Sequence, residues 1–155
     1  MYRRILVTLD GSDTSLRGLD EAVRLAVLHG ATLRLVHALY RFRLTTGHAS
    51  AASYARVLPR MKAEGEVLLQ QARERAERNG ATMVETQVLS SLTLNLPELV
   101  AQDAVDWHAD LIVAGTRGRK GIERILWGSE AQRVLQRAPV PVLLIQAPET
   151  PSSSG

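Results

Sequence analysis

The fold of this chain is decided by "DLIVAGTRGRKGIERILWGS", residues Asp110 to Ser129. The stretch opens with a short, continuous apolar run, which is typical of a strand buried on both faces of a parallel sheet. Four glycines and four basic residues follow within Gly115–Ser129. Ser129 then precedes a segment with helical spacing, and serine is favoured at a helix start. The stretch therefore predicts a strand, a glycine-rich turn and a helix.

The same alternation of strand and helix runs through the rest of the chain, and only residues 40–58 are too irregular to assign. The predicted strands are Arg3–Asp10, Ala31–Leu39, Ala81–Leu89, Asp110–Gly115 and Val140–Gln146, and the predicted helices are Ser12–Gly30, Pro59–Asn79, Leu96–Ala109 and Glu130–Ala138. The predicted fold class is α/β: a single-domain, doubly wound, five-stranded parallel sheet of order 3-2-1-4-5 with helices on both faces. The domain would span residues 1–147, and residues 148–155 would form a disordered C-terminal tail.

The composition argues against several classes of protein. The chain has 155 residues, a natural size for one domain, and it has no cysteine, which excludes disulfides and thiolate metal sites. Its net charge is only +3 and its aromatic content is 4%, so no nucleic-acid partner is expected. No apolar run approaches the roughly 20 residues that span a membrane. The first apolar run is too short for a signal peptide, so we expect a cytoplasmic protein.

No catalytic or metal-ligating set of side chains can be assembled from the sequence. The four histidines lack ligand spacing, and Gly-x-Ser-x-Gly is not present. Asp103, Asp106 and Asp110 are expected on a solvated helix face, and Trp107 is expected to pack in the interior. Catalytic residues are therefore predicted to be none.

The glycine spacing fits an anion site but neither of two familiar phosphate motifs. A P-loop would need a second glycine where Lys120 stands, and the dinucleotide motif needs two glycines separated by one residue. What remains is Gly115-x2-Gly118-x9-Gly128-Ser129. Glycines let backbone N–H groups approach oxygen atoms closely, and the first N–H groups of a helix have no internal partner. This arrangement favours phosphate binding at a helix start.

With this spacing the sequence resembles the universal stress protein family, whose nucleotide-binding members carry Gly-x2-Gly-x9-Gly-Ser/Thr at this position. The resemblance covers about residues 2 to 147. It includes "ILVTLDGSDTS" at the first strand, "LRLVHA" at the second, "ADLIVAGTRG" at the fourth and "GSEAQRVLQRAPVPVLLI" at the end. The match of several spaced motifs in the same strand-and-helix order implies the doubly wound fold.

The resemblance also implies a site for an adenine nucleotide, ATP with Mg²⁺. Asp10 would lie near the ribose or a metal-bound phosphate, the protein alone supplying no metal site, and Ala38 would meet the adenine through its backbone. Thr8 and Leu9 would line the adenosine, and the other residues would wrap the ribose and phosphates. The implied nucleotide-binding residues are Thr8, Leu9, Asp10, Ala38, Ala114, Gly115, Thr116, Gly118, Gly128, Ser129 and Glu130.

Four of these residues also have ordinary structural interpretations, which stay open. Gly118 could serve only a mobile loop. Ser129 opens a Ser-x-x-Gln capping box, and Asp10 could cap the turn after the first strand. Glu130 is favoured in a first helical turn by the helix dipole, by about 0.3–1 kcal/mol, yet its charge would repel a triphosphate.

The function that the resemblance implies is an ATP-binding stress-response regulatory module, which acts through nucleotide-dependent conformation and unidentified protein partners. It also implies a homodimer formed through the last strand, Val140 to Gln146. Two alternatives stay open. One is a dimerising interaction module that binds no nucleotide, and the other is a slow ATPase or self-phosphorylating protein, although no general base stands out in the sequence.

Overall fold

The protein is described by a computed structural model, which covers residues 1–40, 51–91, 93–115 and 136–146. Its strands are β1 (Arg4–Thr8), β2 (Thr32–Tyr40), β3 (Val84–Ser91), β4 (Leu111–Gly115) and β5 (Val142–Ile145). They form one sheet in the order β3-β2-β1-β4-β5, and every pairing is parallel. The predicted α/β class, the strand order and the parallel sheet are confirmed.

Helices cover both faces of the sheet, as predicted. The described helices are α1 (Asp13–His29), α2 (Ala51–Arg78) and α3 (Leu96–Asp106). One buried cluster joins alternate residues of the central strands, such as Val7 and Leu35, to α1 and α2. A second cluster joins the opposite residues, such as Leu6 and Val36, to α3. The buried centres of β1 and β4 are continuous apolar runs in the sequence because both faces of these strands are covered.

The ends of α1 and α3 are set by local sequence. Ser12 caps α1, since its Oγ accepts the N–H of Ser15 at 3.2 Å, and Gly30 ends that helix with φ of 68°. Asn95 and Glu98 form a reciprocal capping box at the start of α3. These side chains satisfy N–H groups that have no partner inside the helix.

The predicted start of α2 is wrong. The prediction placed Pro59 in the first turn, where proline is favoured, but the helix begins at Ala51 and holds Pro59 inside. Proline lacks an N–H group and crowds the carbonyl group four residues earlier. The alanine, arginine and leucine residues upstream are good helix formers, so the helix continues past this position. Most of the predicted fourth helix, Glu130–Ala138, lies outside the described residues.

The expectation that Asp103 belongs to a solvated face is also wrong. Its side chain is buried and accepts two hydrogen bonds from Arg34, at 2.8 and 2.9 Å. Trp107 is buried beside this pair, as predicted, and its Nε1 donates to Glu85 at 2.9 Å. Asp110 accepts backbone N–H groups at the start of β1. This network lies towards the amino ends of the strands, away from the candidate site.

Candidate functional site

The carboxyl ends of β1, β2 and β4 lie side by side, because β1 is flanked by the other two strands. Thr8 pairs with Val36, and Val7 pairs with Val113, so the register carries Ala38 and Gly115 to the level of the residues that directly follow β1. The chain order reverses between β1 and β4, and open α/β sheets bind ligands at such a point. Six implied site residues meet at this edge: Thr8, Leu9, Asp10, Ala38, Ala114 and Gly115.

Five of these six residues are accessible from solvent. The strand centres are fully buried, with Val7 and Val113 at 0% exposure, whereas Thr8, Asp10, Ala38, Ala114 and Gly115 are half-buried. Leu9 differs, since its side chain is only 4% exposed and belongs to the core cluster against α1 and α2. The side chain of Leu9 is therefore not available to line a ligand.

The turn after β1 is held by short hydrogen bonds around Asp10. Its Oδ1 accepts the N–H of Ser12 at 2.8 Å, and the intervening Gly11 has a φ of 84°, which favours glycine. Ser15, which is 4% exposed, donates its Oγ–H to the carbonyl oxygen of Ser12 at 2.9 Å. Oδ2 of Asp10 has no hydrogen-bond partner within the described part of the chain. The turn thus fixes the carboxylate and leaves one oxygen for another partner.

Gly115, at the end of β4, touches the first turn of α1. A Cβ atom at this position would lie 3.0 Å from the carbonyl carbon and the Cγ2 of Thr14, and 3.1 Å from the backbone nitrogen of Ser15. At these distances an added side chain would push the neighbouring backbone by a few tenths of an ångström. Glycine therefore lets β4 end close to the first turn of α1 without displacing it.

Two polar side chains at this edge were not singled out from the sequence. Ser15 ties the Asp10 turn together, and Nδ1 of His37 lies 2.7 Å from the carbonyl oxygen of Leu9. The signals were present: a second serine three residues after the cap, and a histidine on a strand face that is otherwise apolar. Neither signal distinguishes a site residue from an ordinary buried polar group.

Five implied site residues lie outside the described residues. These are Thr116, Gly118, Gly128, Ser129 and Glu130. Their roles, and the choice between capping and phosphate binding at Ser129, stay predictions.

The pKa shifts of the described residues arise away from this edge. A hydrogen bond from Arg75 on α2 lowers the pKa of Asp20 on α1 below its ordinary value. The hydrogen bonds to Asp103 raise the pKa of Arg34. Among the described residues, no group of three or more His, Asp or Glu side chains is placed to hold a metal ion. No helix in the same residues has the length and apolar character needed to cross a membrane.

The geometry defines a doubly wound α/β protein with an accessible turn at its strand-order reversal. A family model described as the universal stress protein family matches residues 1–146. The chain belongs to that family. It is 34% identical over 151 residues to a universal stress protein of Methanocaldococcus jannaschii. The aligned region covers 96% of this chain and 85% of that protein.

Two solved structures of the family resemble the chain and hold nucleotides. One is a universal stress protein in complex with cAMP, at 29% identity and a TM-score of 0.64, with 93% of this chain and 96% of that chain covered. The other is the universal stress protein of Archaeoglobus fulgidus in complex with dAMP, at 26% identity and a TM-score of 0.66. It covers 93% of this chain and 98% of that one.

Proposed function

We propose that this protein binds an adenine nucleotide, ATP with Mg²⁺, at the carboxyl edge of the sheet. The observation that carries the proposal is the placement of the Asp10 turn against Gly115 at the point where strand order reverses. There a fixed carboxylate, accessible backbone groups and a glycine that admits close approach meet in one place. The cAMP and dAMP complexes of two relatives support the same ligand class.

Asp10 can serve an Mg²⁺-bound nucleotide through its second oxygen. Carboxylates are ligands that Mg²⁺ accepts beside phosphate, and they also accept hydrogen bonds from ribose hydroxyl groups. The residues therefore fit the implied group. When bound, Mg²⁺ would neutralise phosphate charge and so weaken the repulsion between the phosphates and acidic side chains.

Calorimetry of ATP binding with and without Mg²⁺ tests this proposal. Asp10→Asn keeps an oxygen for the N–H of Ser12 but removes the charge, and Asp13→Asn is its control, an exposed carboxylate three residues away. A hydrogen bond to a charged group contributes about 1.5–3 kcal/mol. Since about 1.4 kcal/mol is tenfold in affinity, Asp10→Asn should weaken Mg-ATP binding about tenfold or more. Asp13→Asn should change it less than about twofold by the same scale.

Other outcomes of the titration would contradict the proposal in defined ways. No binding of ATP, ADP, AMP or cAMP by the parent would refute the nucleotide site and favour a pure interaction module. Equal effects of the two variants would show only a general charge effect. Sustained ADP production that Asp10→Asn abolishes would replace the binding role with an ATPase role.

We further propose that nucleotide binding changes the conformation of residues 115–130, and that protein partners recognise the changed segment. Hydrogen exchange measured by mass spectrometry should show protection of this segment by Mg-ATP in the parent. Gly118→Val, which adds a branched side chain within the glycine spacing, should bind no ATP and show no protection. Unchanged exchange in the parent at saturating ATP would contradict the regulatory part of the proposal.

A homodimer through β5 is the third part of the proposal. Ile112 donates its N–H to the carbonyl oxygen of Pro141 at 3.0 Å. Because backbone groups alternate along a strand, the N–H and carbonyl groups of Leu143 also face β4. The N–H groups of Val142 and Leu144 then face the open edge, where unpaired apolar strands need cover. Inside an edge strand, proline is tolerated where the N–H faces the open edge and not where it pairs with the neighbouring strand.

Leu144→Pro should therefore convert the dimer to a monomer while the protein stays folded. Leu143→Pro removes a hydrogen bond to β4 and should destabilise the fold. Comparing the two variants therefore separates pairing between two protomers from pairing between β5 and β4. Light scattering after size exclusion measures the mass, and circular dichroism measures the fold. A dimer that survives Leu144→Pro would contradict pairing through this edge.

We propose lastly that the domain ends at about residue 147, one residue beyond the family match. Deletion of residues 148–155 should leave both the unfolding midpoint and the ATP affinity of the parent unchanged. A shift in either quantity would assign the tail a role.

A further inference from the structure

The peptide group between Leu9 and Asp10 stands just beyond the last regular hydrogen bond of β1. The N–H of Leu9 donates to the carbonyl oxygen of Val36 at 2.9 Å. The next two polar atoms of the backbone, the carbonyl oxygen of Leu9 and the N–H of Asp10, both meet side chains instead. At Asp10, side chains thus take the place of the neighbouring strands as hydrogen-bond partners of the backbone.

His37 on β2 binds the first of these atoms. Its Nδ1 lies 2.7 Å from the carbonyl oxygen of Leu9. Because a carbonyl oxygen only accepts hydrogen bonds, Nδ1 must carry the proton and donate. Space for the ring is left by Gly65 on α2, where a Cβ atom would lie 2.8 Å from Cδ2 of His37. Glycine is unfavourable inside a helix, so this one is explained by the imidazole that it accommodates.

Ser15 binds the second atom. Its Oγ accepts the N–H of Asp10 at 3.4 Å and donates to the carbonyl oxygen of Ser12 at 2.9 Å. The side chain is 4% exposed, so water does not replace it easily. A longer hydrogen bond is still favourable here, since a buried N–H without a partner is costly.

We propose that His37 and Ser15 are positioning residues that fix the Leu9–Asp10 peptide group from both sides and thereby aim the carboxylate of Asp10 at the nucleotide. This inference rests on the proposed function for its ligand. The two residues come from different elements, β2 and α1, and each contacts one end of a single peptide group. Preorganisation of this kind raises affinity because the site loses less freedom on binding.

The test compares variants that remove each hydrogen bond with variants that keep it. Ser15→Ala and His37→Leu remove the bonds, whereas Ser15→Thr keeps a hydroxyl group and His37→Asn keeps an N–H near the position of Nδ1. Arg75→Met is the stability control, because it breaks the ion pair with Asp20 between α1 and α2 without touching the edge. The two readouts are hydrogen exchange of the Asp10 amide by NMR, without ligand, and Mg-ATP affinity by calorimetry.

We expect Ser15→Ala to speed exchange of the Asp10 amide, and each removing variant to weaken Mg-ATP binding about 3- to 10-fold. The keeping variants should recover most of the affinity. Arg75→Met should lower the unfolding midpoint and leave the affinity within about twofold of the parent. If the removing variants change affinity no more than Arg75→Met does, the proposal is overturned.

The two proposals fail in different ways. A parent that binds no nucleotide refutes the proposed function, and the positioning role is then decided by exchange alone. Faster Asp10 exchange in Ser15→Ala, restored in Ser15→Thr, supports that role. Exchange that is equal in the parent and in Ser15→Ala overturns it, whether or not ATP binds.

Discussion

Replacing Gly115 with alanine should separate the end of β4 from the start of α1. The new Cβ would stand 3.0 Å from two atoms of Thr14 and 3.1 Å from the nitrogen of Ser15, and two of these three atoms belong to the backbone. A rotamer change cannot relieve a backbone contact, so the first turn of α1 must move by a few tenths of an ångström. Overpacking of this kind costs about 1–3 kcal/mol. The same movement shifts the turn that holds Asp10, so Mg-ATP affinity should fall as well.

Gly18 provides a matched control in the same interface. A Cβ atom there would make ordinary contacts, at 3.6 Å from Val113 and 3.9 Å from the backbone of Ala114. Alanine is also favoured over glycine inside a helix, by about 0.8–1 kcal/mol. Gly18→Ala should therefore keep or raise the free energy of unfolding in urea, and Gly115→Ala should lower it. If the two variants unfold at the same urea concentration, the close contact at Gly115 has no energetic consequence and the reasoning is refuted.

Two further predictions concern ion pairs away from the site. Arg34→Met should lower the free energy of unfolding by about 3 kcal/mol, because it leaves Asp103 buried without its partner. The double variant Arg34→Met with Asp103→Leu should recover most of the lost free energy. Urea titrations measure both changes. Asp20 has a pKa lowered by Arg75, so its stabilisation is present above its unfolded value of about 3.9 and is lost as pH falls through the lowered folded value. Asp20→Asn should thus lower the free energy of unfolding at pH 7, by less than about 1 kcal/mol for this half-exposed pair, and the difference should shrink as pH falls below about 3.9.

The fold could be predicted from sequence because its signals are local. Continuous apolar runs such as Leu111 to Val113 occur where both faces of a strand are covered, and the runs before the last one are followed by a turn and a helical pattern. Ser12 and Gly30 mark the ends of α1 in the sequence as they do in the structure. Given parallel strands and right-handed connections, few arrangements other than a doubly wound sheet remain.

The errors come from interactions that local patterns do not contain. Pro59 fits a helix start, but residues upstream of it continue the helix, and nothing in the proline itself shows which applies. Asp103 looks like one of several acidic residues on a helix, yet its partner Arg34 is 69 residues away in the sequence. Only the three-dimensional arrangement places that arginine beneath α3.

Part of the site was predictable for a topological reason. In a parallel sheet every strand ends at the same edge. Once the strand order was known, Asp10, Ala38 and Gly115 were therefore expected to lie close together. The side chains that hold Asp10 could not be found in this way. The bond from His37 to Leu9 spans 28 residues and depends on the register between β1 and β2.

The structure also bears on whether Asp10 caps a turn or serves a ligand, which the sequence left open. The cap uses Oδ1, which accepts the N–H of Ser12 at 2.8 Å, and Oδ2 has no partner among the described residues. The two roles therefore use different oxygen atoms and do not compete. Moreover, the cap fixes the direction of the carboxylate before any ligand arrives, and a fixed group loses less freedom on binding. A turn that only ended the strand would need neither a bond to the carbonyl oxygen of Leu9 nor a glycine in α2 that makes room for His37.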